Sequence, residues 1–395
     1  MAKQLGTYSF LFFAFSLLAE WTELELLAVE SNKMSGQLPT WMGVWTEMEY
    51  LAFGGNQFSG TLPDNVFNAM PNLLEVSLHD NNFNGSFDKF NENTMLETLL
   101  LQRNMLTGEI QEDTFINVPL KLLDMSYNQI GGQIPYDFYD IQFVSLHNNK
   151  ITGSLPAPQQ GHVVRFFSVF NNQVSGELPE NIGDLERLSH LDLSQNQFGG
   201  SIPTSINDCQ YLTYLYLGDN GFSGDFPDIS NLTRLQELSL RNMGITGSVP
   251  DFLGTWLTRL VFLDLRDNAL SGELPASMQN LESVQFLLLS GNQLTGTLPD
   301  ELWYMQQLQV FALDNNGLTG DVGDICRDDG PKDLDWFAAD TTVTCNCCSE
   351  QCSPNSTGCG GSTILSPNID FGYERLRFVL NANLIFDANL KQTNY

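Results

Sequence analysis

The chain has 395 residues, 42% of them apolar, and its 47 Asp and Glu against 17 Lys and Arg leave a formal charge of −30. That length exceeds one ordinary globular core, so the chain either divides into domains or grows along one axis as an array of repeats. The negative charge repels phosphate backbones and anionic lipid; it argues against a nucleic-acid partner, favours cationic partners and keeps a long surface soluble.

Residues 1–20 form an apolar leader: Lys3 precedes a run from Phe10 to Ala19, FLFFAFSLLA. The run has the length of the apolar region of a signal peptide and is too short to span a bilayer. Export is the natural expectation, although Leu17 stands where a cleavage site wants a small residue. The alternative is the worn edge of one further repeat. No later segment is long and apolar enough to read as a clear membrane anchor.

From residue 21 to 325 a repeat takes over. Glycines recur at 36, 60, 85, 108, 132, 153, 176, 200, 224, 247, 272, 296 and 320, at intervals of 21 to 25 residues. Four residues before each stands an Asn, from Asn32 to Asn316, except that Met243 takes the place in the tenth copy. Apolar residues lie three, five and eight positions before the Asn, as Leu193, Leu191 and Leu188 do. The repeat is L-x-x-L-x-L-x-x-N-x-L-x-G-x-[LI]-P. The L-x-L pair alternates with period two, so both side chains enter the core from one short strand. An Asn amide at the following turn can bridge backbone groups of adjacent coils, which Met243 cannot. The Gly allows a backbone conformation that side chains forbid, and the Pro three residues on suits an extended segment. One coil cannot bury its own apolar face, whereas thirteen stacked coils can.

This pattern resembles the plant-specific class of leucine-rich repeats, found in ectodomains of receptor-like kinases and receptor-like proteins and in polygalacturonase-inhibiting proteins. The resemblance implies an α/β solenoid, a right-handed horseshoe. Its concave face would carry a parallel sheet and its convex side 3₁₀ or short helical turns. The Cys-paired N-terminal cap usual in that class is missing, which exposes the first coil unless the leader packs on it.

Residues 326–359 hold six of the seven Cys: Cys326, Cys345, Cys347, Cys348, Cys352 and Cys359. The run from Cys326 through Trp336-Phe337-Ala338-Ala339-Asp340 to Cys352 resembles the Cys-rich ending of leucine-rich-repeat proteins from diatoms and related algae. With no His nearby, the cluster reads as disulfides rather than a metal site, in a connectivity that sequence leaves open. Sequons at Asn84, Asn231 and Asn355 agree with an exported setting. Residues 360–395 lack the repeat and read as a poorly ordered tail. Cys209, alone on a convex segment, reads as a small buried filler.

No nucleophile motif, phosphate loop or metal-binding His pair is present, so neither an enzyme nor a cofactor is expected. Three of the four His, His79, His147 and His190, fall on outward strand positions and read as isolated polar surface groups. The sharper signal is aromatic. Six residues before the Asn position stand Tyr50, Phe143, Phe166, His190, Tyr214, Phe262 and Phe286, all directed outward where the solenoid itself should leave them uncovered. Phe170, Tyr216, Arg241, Asp264, Arg266 and Asp267 lie beside them, with His147. The column is expected either to line the sheet or to bind a protein, peptide or glycan on the concave face. The runner-up functions are inhibition of a cell-wall-degrading hydrolase and an acidic matrix component. Truncating Phe166 or Tyr214 should cost binding and leave the fold nearly intact.

Overall fold

The structure is a computed structural model that describes residues 18–352 apart from 300, 301, 303, 322–330, 332–333, 346–347 and 349. Residues 1–17, Cys326, Cys347, Asn355, Cys359 and the segment 360–395 lie outside the described residues.

We number the coils 1 to 13 by their Asn positions, Asn32 to Asn316. Each coil opens with a three-residue strand, from Leu26–Ala28 in coil 1 to Val310–Ala312 in coil 13. Neighbouring strands pair in parallel and in register, Leu191 opposite Leu215 and His190 opposite Tyr214. The sheet continues past the thirteenth repeat through Trp336–Asp340 and Glu350–Cys352, reaching fifteen strands. Five short parallel strips of two to four strands follow the N-x-L-x-G segments, and six 3₁₀ turns and the α-helix Phe252–Trp256 make up the described convex side. An α/β leucine-rich-repeat solenoid is the architecture.

The core is one continuous apolar column. Leu188, Leu191, Leu193, Leu212, Leu215 and Leu217 are buried in it. Burying such a side chain contributes about 1.5 to 3 kcal/mol, available only because the next coil supplies the other wall. At the N-terminal end Leu18, Leu24 and Leu27 pack on this core, and the Trp45 indole N–H donates to the Leu18 carbonyl at 3.0 Å.

The Asn column forms the expected ladder. Asn172 donates to the carbonyls of Leu146, Val169 and Phe170 at 3.0, 3.0 and 3.3 Å and accepts from the Ile151 N–H at 2.9 Å. Met243 makes no side-chain hydrogen bond and instead buries its thioether, while Asn268 next door accepts from the N–H groups of both Met243 and Ile245. Two columns of positive φ fix the coil's shape. The Gly of G-x-[LI]-P lies between +73° and +106° in all thirteen copies. The residue just before the Asn lies between +49° and +70°, although it is Gly only at 55 and 291. Asn and Asp fill seven of the other eleven places, because their short polar side chains tolerate the left-handed region best.

Candidate functional site

From Phe143 to Tyr214 the outward aromatic column is a continuous stack. Phe143 lies on Phe166 with centroids 4.1 Å apart and planes 15° from parallel, and Phe166 lies on His190 at 4.2 Å and 12°. His190 then meets Tyr214 at 5.5 Å and Tyr216 at 5.7 Å. In-register strands stand roughly 4.8 Å apart, close to ring-stacking distance, so rings at one position of successive coils cover each other's faces. This corrects the expectation that nothing covers them: Phe166 is only 4% exposed and His190 2%. Phe143, Phe170, Tyr214, Tyr216 and Phe262 are half-buried.

The histidines are corrected by the same geometry, since His147 and His190 are not surface groups. His147 is buried with its ring edge-on to Tyr127 at 4.8 Å, and Asn148 hydrogen-bonds its Nδ1 at 3.1 Å. Burial drives the His190 imidazole down to about 3, so it stays neutral, and its Nδ1 has no hydrogen-bond partner among the described residues. His79 is the opposite case. Burial disfavours its charge, but the hydrogen bond to Asp80 (2.8 Å), the ion pair with Glu30 and the charges of both carboxylates raise it to about 9. To come within 3.7 Å of Glu30 the ring crosses coil 2 over Gly54, where any side chain would collide with it.

The charged residues singled out from the sequence are largely engaged with one another. Arg266 grips Asp264 with Nε at 2.9 Å and a second guanidinium nitrogen at 2.6 Å, both residues buried. Arg241 makes a two-pronged contact with Asp219. Neither Arg is therefore a spare cation for a ligand. Asp267 is exposed at the rim and has no hydrogen-bond or ion-pair partner among the described residues. Burial of its carboxylate and the charges of Asp264 and Asp219 raise its pKa, against the pull of Arg266 and Arg241.

Sequence reading missed two devices. In Asp124-x-Ser126 and Asp192-x-Ser194 the Asp accepts both the N–H and the hydroxyl of the Ser, and Asp264 accepts the Arg266 N–H in the same way. The D-x-S spacing on outward strand positions was the available signal. Glu237, in the outward column, is buried and accepts the Tyr216 hydroxyl proton. Only the in-register pairing of their strands brings those two together.

Elsewhere, Cys345 and Cys348 form a disulfide, and Cys209 is a free, buried thiol that burial pushes up to about 12. Of Cys352 only the strand position is described. Asn84 and Asn231 are exposed. Among the described residues no group of His, Cys, Asp and Glu is placed to hold a metal, and no helix is long and apolar enough to cross a membrane.

The Leucine Rich Repeat family model matches residues 119–141, 187–209, 259–281 and 283–305. Receptor-like protein 18 of Arabidopsis thaliana is 39% identical over 137 residues, 34% of this chain and 16% of that protein. Among solved structures, the Arabidopsis receptor kinase HAESA, in complex with the peptide hormone IDA and the co-receptor SERK1, superposes with a TM-score of 0.67 and 29% identity over 77% of this chain and 56% of that one. The ectodomain of GASSHO1/SCHENGEN3 from Arabidopsis thaliana, in complex with CASPARIAN STRIP INTEGRITY FACTOR 2, gives 0.66 and 25% over 83% of this chain and 42% of that one. The chain thus spans less than two thirds of each. The chain thus carries leucine-rich repeats and is similar, over about a third of its length, to a plant receptor-like protein, on a solenoid that superposes with the ectodomains of plant receptor kinases.

Proposed function

We propose that the chain is an extracellular recognition module that binds a protein or peptide along its concave face and performs no catalysis of its own. The observation that carries this reading is the row of half-buried rings Phe143, Tyr214, Tyr216 and Phe262 on one in-register sheet, with Phe170 two residues beyond the end of its strand. Pre-ordered aromatic surface binds at low entropic cost, which is why such rings dominate interface energetics. The peptide-bound state of the solved HAESA ectodomain supports a peptide as the ligand class. Exposed Asn84 and Asn231 would carry glycans in that setting, and the Cys345–Cys348 bridge suits it.

Peptides selected on the purified chain from a displayed random library test the reading. Hydrogen exchange should show protection in coils 6 to 11 on the sheet side, and Tyr214→Ser should weaken binding on the order of tenfold or more, the effect of removing an anchor. Protection confined to the convex turns, with Tyr214→Ser binding like the parent, would refute it. Phe166 is unsuited to this test, because its ring is buried in the stack and truncation would disturb folding as well.

A further inference from the structure

Beyond coil 10 the concave face changes character. Leu288, Val310 and Ala312 form an apolar cluster on the outward side, separate from the interior core, with Phe262, Phe286 and Trp336 packed against it and half-buried. Phe262 and Phe286 lie 6.0 Å apart with tilted rings. Parallel pairing sets these residues side by side, Phe262 opposite Phe286, Phe286 opposite Val310 and Val310 opposite Trp336.

Along the rim of this patch the charges do not balance. Asp219 and Asp264 hold Arg241 and Arg266. Asp314 accepts the Ser290 hydroxyl at 2.6 Å, and Asp340 accepts the N–H groups of Asn315 and Asn316, each at 2.8 Å. Asp267 is left over. Its carboxylate lies across Gly291, where a side chain would run into it, and so reaches over the rim of coil 12 at the turn that follows Phe286 and Leu288. The site thus combines a rim carboxylate with an apolar patch on the same concave face, while both nearby guanidinium groups are held by other carboxylates.

We propose that this end of the concave face takes a cationic amphipathic segment of a peptide or protein ligand, an ammonium or guanidinium group on Asp267 and an apolar side chain against Phe262, Phe286 and Trp336. The inference rests on concave-face recognition and adds the chemistry of the ligand. An anionic segment would meet Asp267 with both arginines already engaged, and a purely polar one would leave the rings in water.

The full chain is titrated, by fluorescence anisotropy, with a labelled short peptide of alternating Lys and Leu, and with versions carrying Glu for Lys or Ser for Leu. The Lys–Leu peptide should bind on the order of tenfold more tightly than either version. Asp267→Asn should remove about tenfold of that affinity, the scale of one charge-assisted hydrogen bond. Asn already occupies this left-handed rim position at 148, 171, 242 and 315, so the variant should fold normally. Glu186→Gln, which removes one charge from the convex side, should leave the affinity unchanged. Equal binding of the Lys–Leu and Glu–Leu peptides overturns the proposal, as does an Asp267→Asn variant that binds like the parent or like Glu186→Gln. Hydrogen exchange separates this from the broader reading. Concave protection that survives Asp267→Asn sinks the cation site alone, whereas protection confined to the convex turns sinks both.

Discussion

Two histidines on one sheet face titrate in opposite directions, and the sign follows from their neighbours. The folded value of His79 lies near 9, above its ordinary 6.5, so its bound proton stabilises the fold fully below about pH 6.5 and that contribution is lost as pH rises through 9. The folded value of His190 lies near 3, so its stabilising contribution is present above pH 6.5 and is lost as pH falls towards 3, where the unfolded chain takes a proton the stack refuses. Thermal unfolding across pH 5 to 9 should therefore give a maximum near neutrality. His79→Gln should flatten the alkaline limb and His190→Phe, whose ring can stack in the same place, should soften the acidic one. Gly54→Ala should act like His79→Gln, because the added methyl displaces the ring from Glu30. Unchanged limbs in these variants would show that other groups set the profile.

At the scale of the coil, the turn after each strand is held by one amide rather than by secondary structure. Asn172→Ala would strip partners from the carbonyls of Leu146 and Val169 and from the Ile151 N–H, all beside a buried position. A buried group left unpaired costs about 1 to 3 kcal/mol, so urea denaturation should show a loss of about 2 to 4 kcal/mol in all. A change below about 0.5 kcal/mol would mean that water replaces the amide, as an exposed site allows. The tenth coil already runs without its Asn: Met243 replaces polar bridging with apolar filling, and Asn268 supplies a second acceptor contact. The aromatic stack is the other product of this scale, since rings one coil apart need only share a strand position to cover each other.

The whole molecule is a one-dimensional array in which each coil touches its neighbours and little else. Leu215 pairs with Leu191 and Leu238 on the flanking strands and is fully buried. Leu215→Ala should cost about 2 to 5 kcal/mol. Hydrogen exchange should locate the loosening in coils 8 to 10, with coils 1 to 3 and 13 nearly unchanged. Uniform loosening from end to end would instead show that the solenoid opens as a single unit. The sheet runs on past the thirteenth repeat through Trp336–Asp340 and Glu350–Cys352, in the Cys-rich segment, and Phe337 and Ala339 extend the apolar core there.

The repeat, its inward leucines, its Asn ladder and its left-handed glycines were legible in the sequence because each is local: a period, an alternation and a backbone angle need no knowledge of distant residues. The outward column of Phe143, Phe166, His190 and Tyr214 was legible as a column too. Its state was not, because whether a ring faces solvent or another ring depends on the register and spacing of separate strands. The same holds for charge. Composition announced an excess of carboxylates, but only the folded chain decides that Arg266 is spent on Asp264, that His79 reaches Glu30 across a glycine, and that Asp267 has no hydrogen-bond or ion-pair partner among the described residues. Local geometry is written in neighbouring residues, whereas burial and electrostatic pairing are properties of what the stacking of coils brings together.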